Sequence, residues 1–173
     1  MLGNKFALTA ADVGTGLKES ASALATANNS MEQSAAMISA ITEITQDASG
    51  AGNALKTYSL RLRGAKTELE KLGEETEGVA ESSSKMQAKI KGLTGFDIMN
   101  KDGFKSTYEI TKGLAEAYKT MNDVDRAALL ELVAGEILPD YVEIHIMNIL
   151  NCWNSLRALH YNKRVIVYES TTT

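Results

Sequence analysis

A chain of 173 residues, 23% charged and 44% hydrophobic, has the composition of an ordinary folded protein, which excludes wholesale disorder and a membrane-embedded chain. The formal net charge is -4 and no basic run is long enough to follow a phosphate backbone, so charge indicates no nucleic-acid partner. No stretch reaches the roughly 18 apolar residues of a membrane span. A single cysteine, Cys152, excludes an internal disulfide framework and a thiol metal site.

Taken in order, Thr9 and Asp12 stand three apart in capping-box form and open a helix marked by Leu17, Ala21 and Leu24, weakened by Gly14 and Gly16. Asn28, Asn29 and Ser30 break it. Ser30 and Gln33 then start a second helix whose Met37, Ile41, Ile44 and Ala48 share one face. Residues 49–52, with Gly50 and Gly52, read as a turn. After it, Leu55, Tyr58, Leu62, Ala65, Leu69 and Leu72 alternate steps of three and four, the pattern of a helix-packing seam that meets a partner helix. Arg61, Arg63, Lys66, Glu70 and Lys71 fall on the other faces as a solvated charged surface, and Gly73 is placed to cap the end. A polar stretch leads into a fourth helix ending near Gly92. Residues 93–103 read as an ordered loop anchored by Phe96, Ile98 and Met99. Phe104, Ile110, Leu114 and Met121 mark a further helix. A last one has Asn122 as its N-cap and stops at Gly135. The expected fold class is mainly α, an extended chain of five or six helices with hairpin or coiled-coil-like packing.

Beyond Gly135 the text changes. All thirteen glycines lie at or before that residue, while Pro139, Cys152, Trp153 and both histidines, His145 and His160, lie after it. Val142, Ile144 and Ile146 alternate as in a strand, and residues 165–168 form a β-favouring run. Ile, Asn, Tyr and Lys dominate this tail and are encoded by AT-rich codons. The chain therefore divides into a helical part, 1–135, and an atypical tail, 136–173, expected to be short β or unstructured, with two readings open: an out-of-frame translation product or a genuine short α/β appendage.

No constellation supports catalysis. Asn100, Asp102, Gly103 and Glu109 fit positions three, five, six and twelve of a calcium loop, but the first position is Ile98 where an acidic oxygen is required, so the bland reading is a turn at Asp102 and Gly103. Gly14 and Gly16 lack the strand of a dinucleotide fingerprint. The run from Gly52 to Thr57 lacks the ending of a phosphate loop, and both read as helix boundaries. His145, Cys152 and His160 lack metal-ligand spacing. The expectation is no enzyme, no catalytic residue, no metal and no cofactor.

Three stretches carry a resemblance: Lys56–Gly78 (KTYSLRLRGAKTELEKLGEETEG), Leu93–Met99 (LTGFDIM) leading to Phe104–Ile110 (FKSTYEI), and Val124–Gly135 (VDRAALLELVAG). Together they resemble the core region of tail tape measure proteins of long-tailed phages and prophages of Gram-positive bacteria. The likeness covers nearly all of residues 5–135. It implies a structural protein, longer than this chain when complete, that lies inside the growing tail in the host cytoplasm and then in the virion. There it sets tail length while tail-tube protein polymerises around it. Self-association, the tail-tube protein and tail assembly chaperones are the partners it implies, and it supplies no catalytic residue. After Gly135 the family continues with a basic and polar run that is missing here. A signalling coiled coil of the chemoreceptor type is the alternative, for the Ala/Ser/Thr/Glu/Gln idiom of Ser34–Ser49. Against it stand seven glycines from Gly50 to Gly95, each costing about 1 kcal/mol inside a helix.

Overall fold

The computed structural model describes residues 8–74, 76–80, 82–135 and 139–149. They form helices α1 (Ala10–Thr26), α2 (Met31–Thr45), α3 (Ala48–Leu62), α4 (Lys66–Lys71), α5 (Ser83–Thr94), α6 (Thr107–Tyr118) and α7 (Asp123–Ala134), and a two-stranded hairpin, β1 (Met99–Asn100) and β2 (Gly103–Phe104). Residues 139–149 are helical too and are called α8. The protein is mainly α, as its periodicity predicts.

Local chemistry starts most of these helices. Thr9 with Asp12, Ser30 with Gln33 and Ser106 with Glu109 form reciprocal capping boxes at α1, α2 and α6. Asp47, Ser82 and Asn122 accept from backbone N–H groups in the first turns of α3, α5 and α7. Among α1–α7 only α4 lacks a side-chain cap, and this six-residue helix is held to the core by Leu69.

The turn expected at 49–52 is not a turn. Asp47 caps α3, so Gly50 and Gly52 lie inside its first turns. The cost of helical glycine is offset by what the missing side chains permit. A Cβ on Gly52 would collide with the backbone oxygen of Gly16, and one on Gly16 would stand 2.6 Å from Ile38 Cγ2 and 2.9 Å from Ala48 O. These glycines let α1 and α3 cross at backbone distance, which explains why Gly16 and Gly52 are interior residues rather than boundaries.

The continuous helix expected from Leu55 to Leu72 is broken. Gly64 takes φ +63°, and the chain turns so that α4 leaves the α3 axis. Ser83 Oγ donates to Arg63 O at 2.9 Å and ties the start of α5 to this break. Among the described residues no helix exceeds the 17 residues of α1, and none is long and apolar enough to cross a membrane.

Between α5 and α6 the expected ordered loop contains the hairpin, paired Met99 with Phe104 and Asn100 with Gly103. Ile98 beside it is fully buried. Asn29, after α1, accepts from Tyr108 N at 2.9 Å, and Asn28 donates to Phe104 O at 3.2 Å, so the break between α1 and α2 is fastened to the hairpin and α6.

The strand expected from Val142, Ile144 and Ile146 is a helix. Val142, His145, Ile146 and Ile149 are buried along one face of α8 at steps of three, one and three, while Ile144 is half-buried. Tyr141 donates to Asp47 at 3.0 Å and Tyr118 to Glu143 at 2.8 Å. A Cβ on Gly50 would meet the Tyr141 hydroxyl at 2.7 Å, so that glycine leaves room for the first bond. Buried side chains from Leu24 to Ile149 form one contiguous core. The β-favouring run at 165–168 lies outside the described residues, as do Cys152 and His160.

Candidate functional site

The predicted seam divides. Leu55, Tyr58 and Leu62 of α3 and Leu69 of α4 are buried in the core of their own chain, Ala65 is half-buried at the break, and Leu72 keeps 48% of its surface in solvent. The buried face of α3 is wider than the seam. It includes Ala51, Ala54, Thr57, Ser59 and Arg61. Tyr58 Oη pairs with Thr111 Oγ1 at 3.1 Å, and Ser59 Oγ with Thr107 Oγ1 at 3.0 Å, so two hydroxyl pairs join α3 to α6. Burial of the Tyr58 phenol raises its pKa well above the usual tyrosine value.

Arg61 corrects the expectation of a solvated charged face. Its side chain is 1% exposed, and its guanidinium donates to Glu77 O at 2.8 Å and Glu131 O at 3.4 Å. Two glycines enclose it. Gly78 (φ +74°) and Gly135 (φ +71°, ψ -160°) occupy backbone regions disfavoured for other residues, and a Cβ at Gly135 would lie 2.9 Å from three atoms of the guanidinium. An always-charged group thus donates through Nη2 to two backbone carbonyls where α3, the 76–80 segment and the end of α7 converge. Arg63 sits half-buried with its guanidinium 4.9 Å from the Phe104 ring centroid, and burial lowers its pKa.

Beside Arg61 lies a cavity of about 340 Å³ lined by Gly78, Lys89, Leu93, Ala128, Glu131 and Leu132. Among the described residues no three His, Cys, Asp or Glu side chains are grouped to hold a metal ion. In the calcium-like loop, Asn100 Oδ1 accepts from Asp102 N at 2.9 Å, an Asx turn, and Glu109 turns back on Ser106 N at 3.0 Å as half of a capping box. The carboxylate that would close a cation loop caps α6.

Residues 1–135 match the family model described as phage-related minor tail protein. The chain belongs to that family. No curated protein and no solved structure matches it. Membership makes this a phage tail protein and places it in the virion tail.

A second polar node of the tail protein holds its hairpin. Asp97 accepts from Gln87 Nε2 at 2.7 Å, Met99 N at 3.0 Å and Lys91 Nζ at 3.0 Å, and its carbonyl accepts from Lys105 Nζ at 2.7 Å. The bonds from Gln87, Met99 and Lys91, in that order, hold the Asp97 carboxyl well below the usual carboxylate range. Lys105 Nζ also stands 4.3 Å from the Phe96 ring centroid. Phe96 packs where a Cβ on Gly113 of α6 would collide with it. Neither Asp97 nor Arg61 was marked by its spacing as more than a surface charge.

Proposed function

We propose that this chain is part of a tape measure protein, a longer structural protein that lies inside the tail tube and sets tail length during assembly in the host cytoplasm. Membership of the phage-related minor tail protein family is the observation that carries this reading. The helical content supports it, because a helix advances about 1.5 Å per residue and so converts residue count into length. The short helices are joined through positive-φ glycines at Gly64, Gly73, Gly78 and Gly95, and laid end to end they make a narrow, non-enzymatic rod. The bundle is the state of the free chain, and the in-line arrangement is its state within the tube.

The partners in this reading are the tail-tube protein and tail assembly chaperones. Contacts between copies of the bundle use exposed residues such as Leu72, since Leu55, Tyr58, Leu62 and Leu69 are enclosed. Cross-linking mass spectrometry on assembled tails tests the reading. Cross-links from Lys66, Lys71 and Lys89 to the lumenal face of the tube protein are expected. Cross-links confined to the baseplate or the outer tail surface would oppose it.

A further inference from the structure

Helix α8 is attached to the bundle by one face. Val142, Ile146 and Ile149 supply its apolar contacts, and the Tyr141–Asp47 and Tyr118–Glu143 hydrogen bonds fasten its flanks. In the middle of that face lies His145, 1% exposed, its ring edge-on to Tyr58 with 6.0 Å between centroids and 86° between planes. Neither ring nitrogen has a hydrogen-bond partner. A buried imidazole without partners is tolerated only while neutral, since an unpaired buried charge is far more costly than an unpaired polar atom.

The ionisable groups around it do not change this. From α3 the facing group is the neutral Tyr58 phenol. Nearer the start of α8, Glu143 accepts from Tyr118 of α6, and Tyr141 donates to Asp47 ahead of α3. Both carboxylates are engaged by tyrosine hydroxyls.

We propose that α8 is an acid-releasable latch: protonation of His145 requires the helix to leave the bundle, which uncovers the Tyr58 face of α3 while α1–α7 stay folded. The sign follows from linkage. Burial lowers the His145 pKa from 6.5 to about 3, so the released helix binds a proton that the docked helix does not, and docking weakens as pH falls from about 6.5 towards 3. Between pH 7 and pH 5 the opening constant should rise about 25-fold.

Hydrogen exchange by mass spectrometry on the full chain at pH 7 and pH 5, corrected for intrinsic rates, tests this. The expected result is a loss of protection of about that size in peptides covering 139–149, with α1–α3 peptides unchanged. In His145→Phe, which keeps an aromatic ring and cannot titrate, the pH effect should nearly vanish. If that variant does not fold, His145→Gln is read the same way. Equal protection at both pH values, loss of protection across all helices together, or an undiminished pH effect in the folded variant would overturn the proposal.

Discussion

Arg61 and Gly135 act as one unit, because the guanidinium can fill its site only if the backbone at 135 has no side chain. Replacing Arg61 with Met leaves the carbonyls of Glu77 and Glu131 without this donor in a buried site, a loss expected to cost about 3 kcal/mol. Gly135→Ala should cost at least about 2 kcal/mol, since φ +71° with ψ -160° is a region that essentially only glycine occupies and the new Cβ presses on the guanidinium. Urea unfolding of both variants checks this, and a loss below 1 kcal/mol in either would remove the node from the account. Asp97 gives a pH prediction. Its folded carboxyl is more acidic than the unfolded one, so its contribution is present above the ordinary aspartate pKa near 4 and is lost as pH falls below it. Asp97→Asn should therefore flatten the acid limb of a stability–pH curve, measured as thermal midpoints between pH 2 and pH 6. None of this was legible from position alone. Arg61 and Asp97 are ordinary charged residues until the fold brings carbonyls or amides to them.

At the scale of elements, signals confined to a few residues were readable and signals that depend on tertiary contact were not. The Thr9, Ser30 and Asn122 starts and the Gly135 stop each depend on chemistry within four residues, and each stands where the sequence places it. The break at Gly64 was hidden because the seam spacing runs through it. The helical glycines misled for the reverse reason: local propensity marks Gly50 and Gly52 as a turn, whereas the crossing of α1 and α3 decides. Alternation at 142, 144 and 146 suggested a strand, but two of these residues, Val142 and Ile146, joined by His145 and Ile149, form a helical face. The crossing makes a paired prediction. Gly14→Ala in α1 and Gly92→Ala in α5 meet nothing within 4 Å and should each stabilise by about 1 kcal/mol through helix propensity. Gly52→Ala gains the same propensity but drives its Cβ into the Gly16 backbone, and overpacking of about 1–3 kcal/mol should make it net destabilising. Differential scanning calorimetry would show opposite shifts in Tm. Stabilisation by Gly52→Ala would mean that α1 and α3 do not cross so closely.

For the whole molecule, one contiguous core replaces the strung-out arrangement expected from thin helices. Membership of a phage tail protein family supports a structural role in the tail. The ruler reading then makes a quantitative demand, because the bundle and the in-line chain convert residues into length differently. Residues laid in line contribute about 1.5 Å each, whereas residues kept in a folded bundle contribute little, since its helices lie side by side. The most direct measurement is tail length, by electron microscopy, in phages carrying in-frame deletions of α1–α2, α1–α4 and α1–α7. The account predicts that tails shorten in proportion to the residues removed, with a slope near 1.5 Å per residue. Complete tails of unchanged length across the series would contradict it.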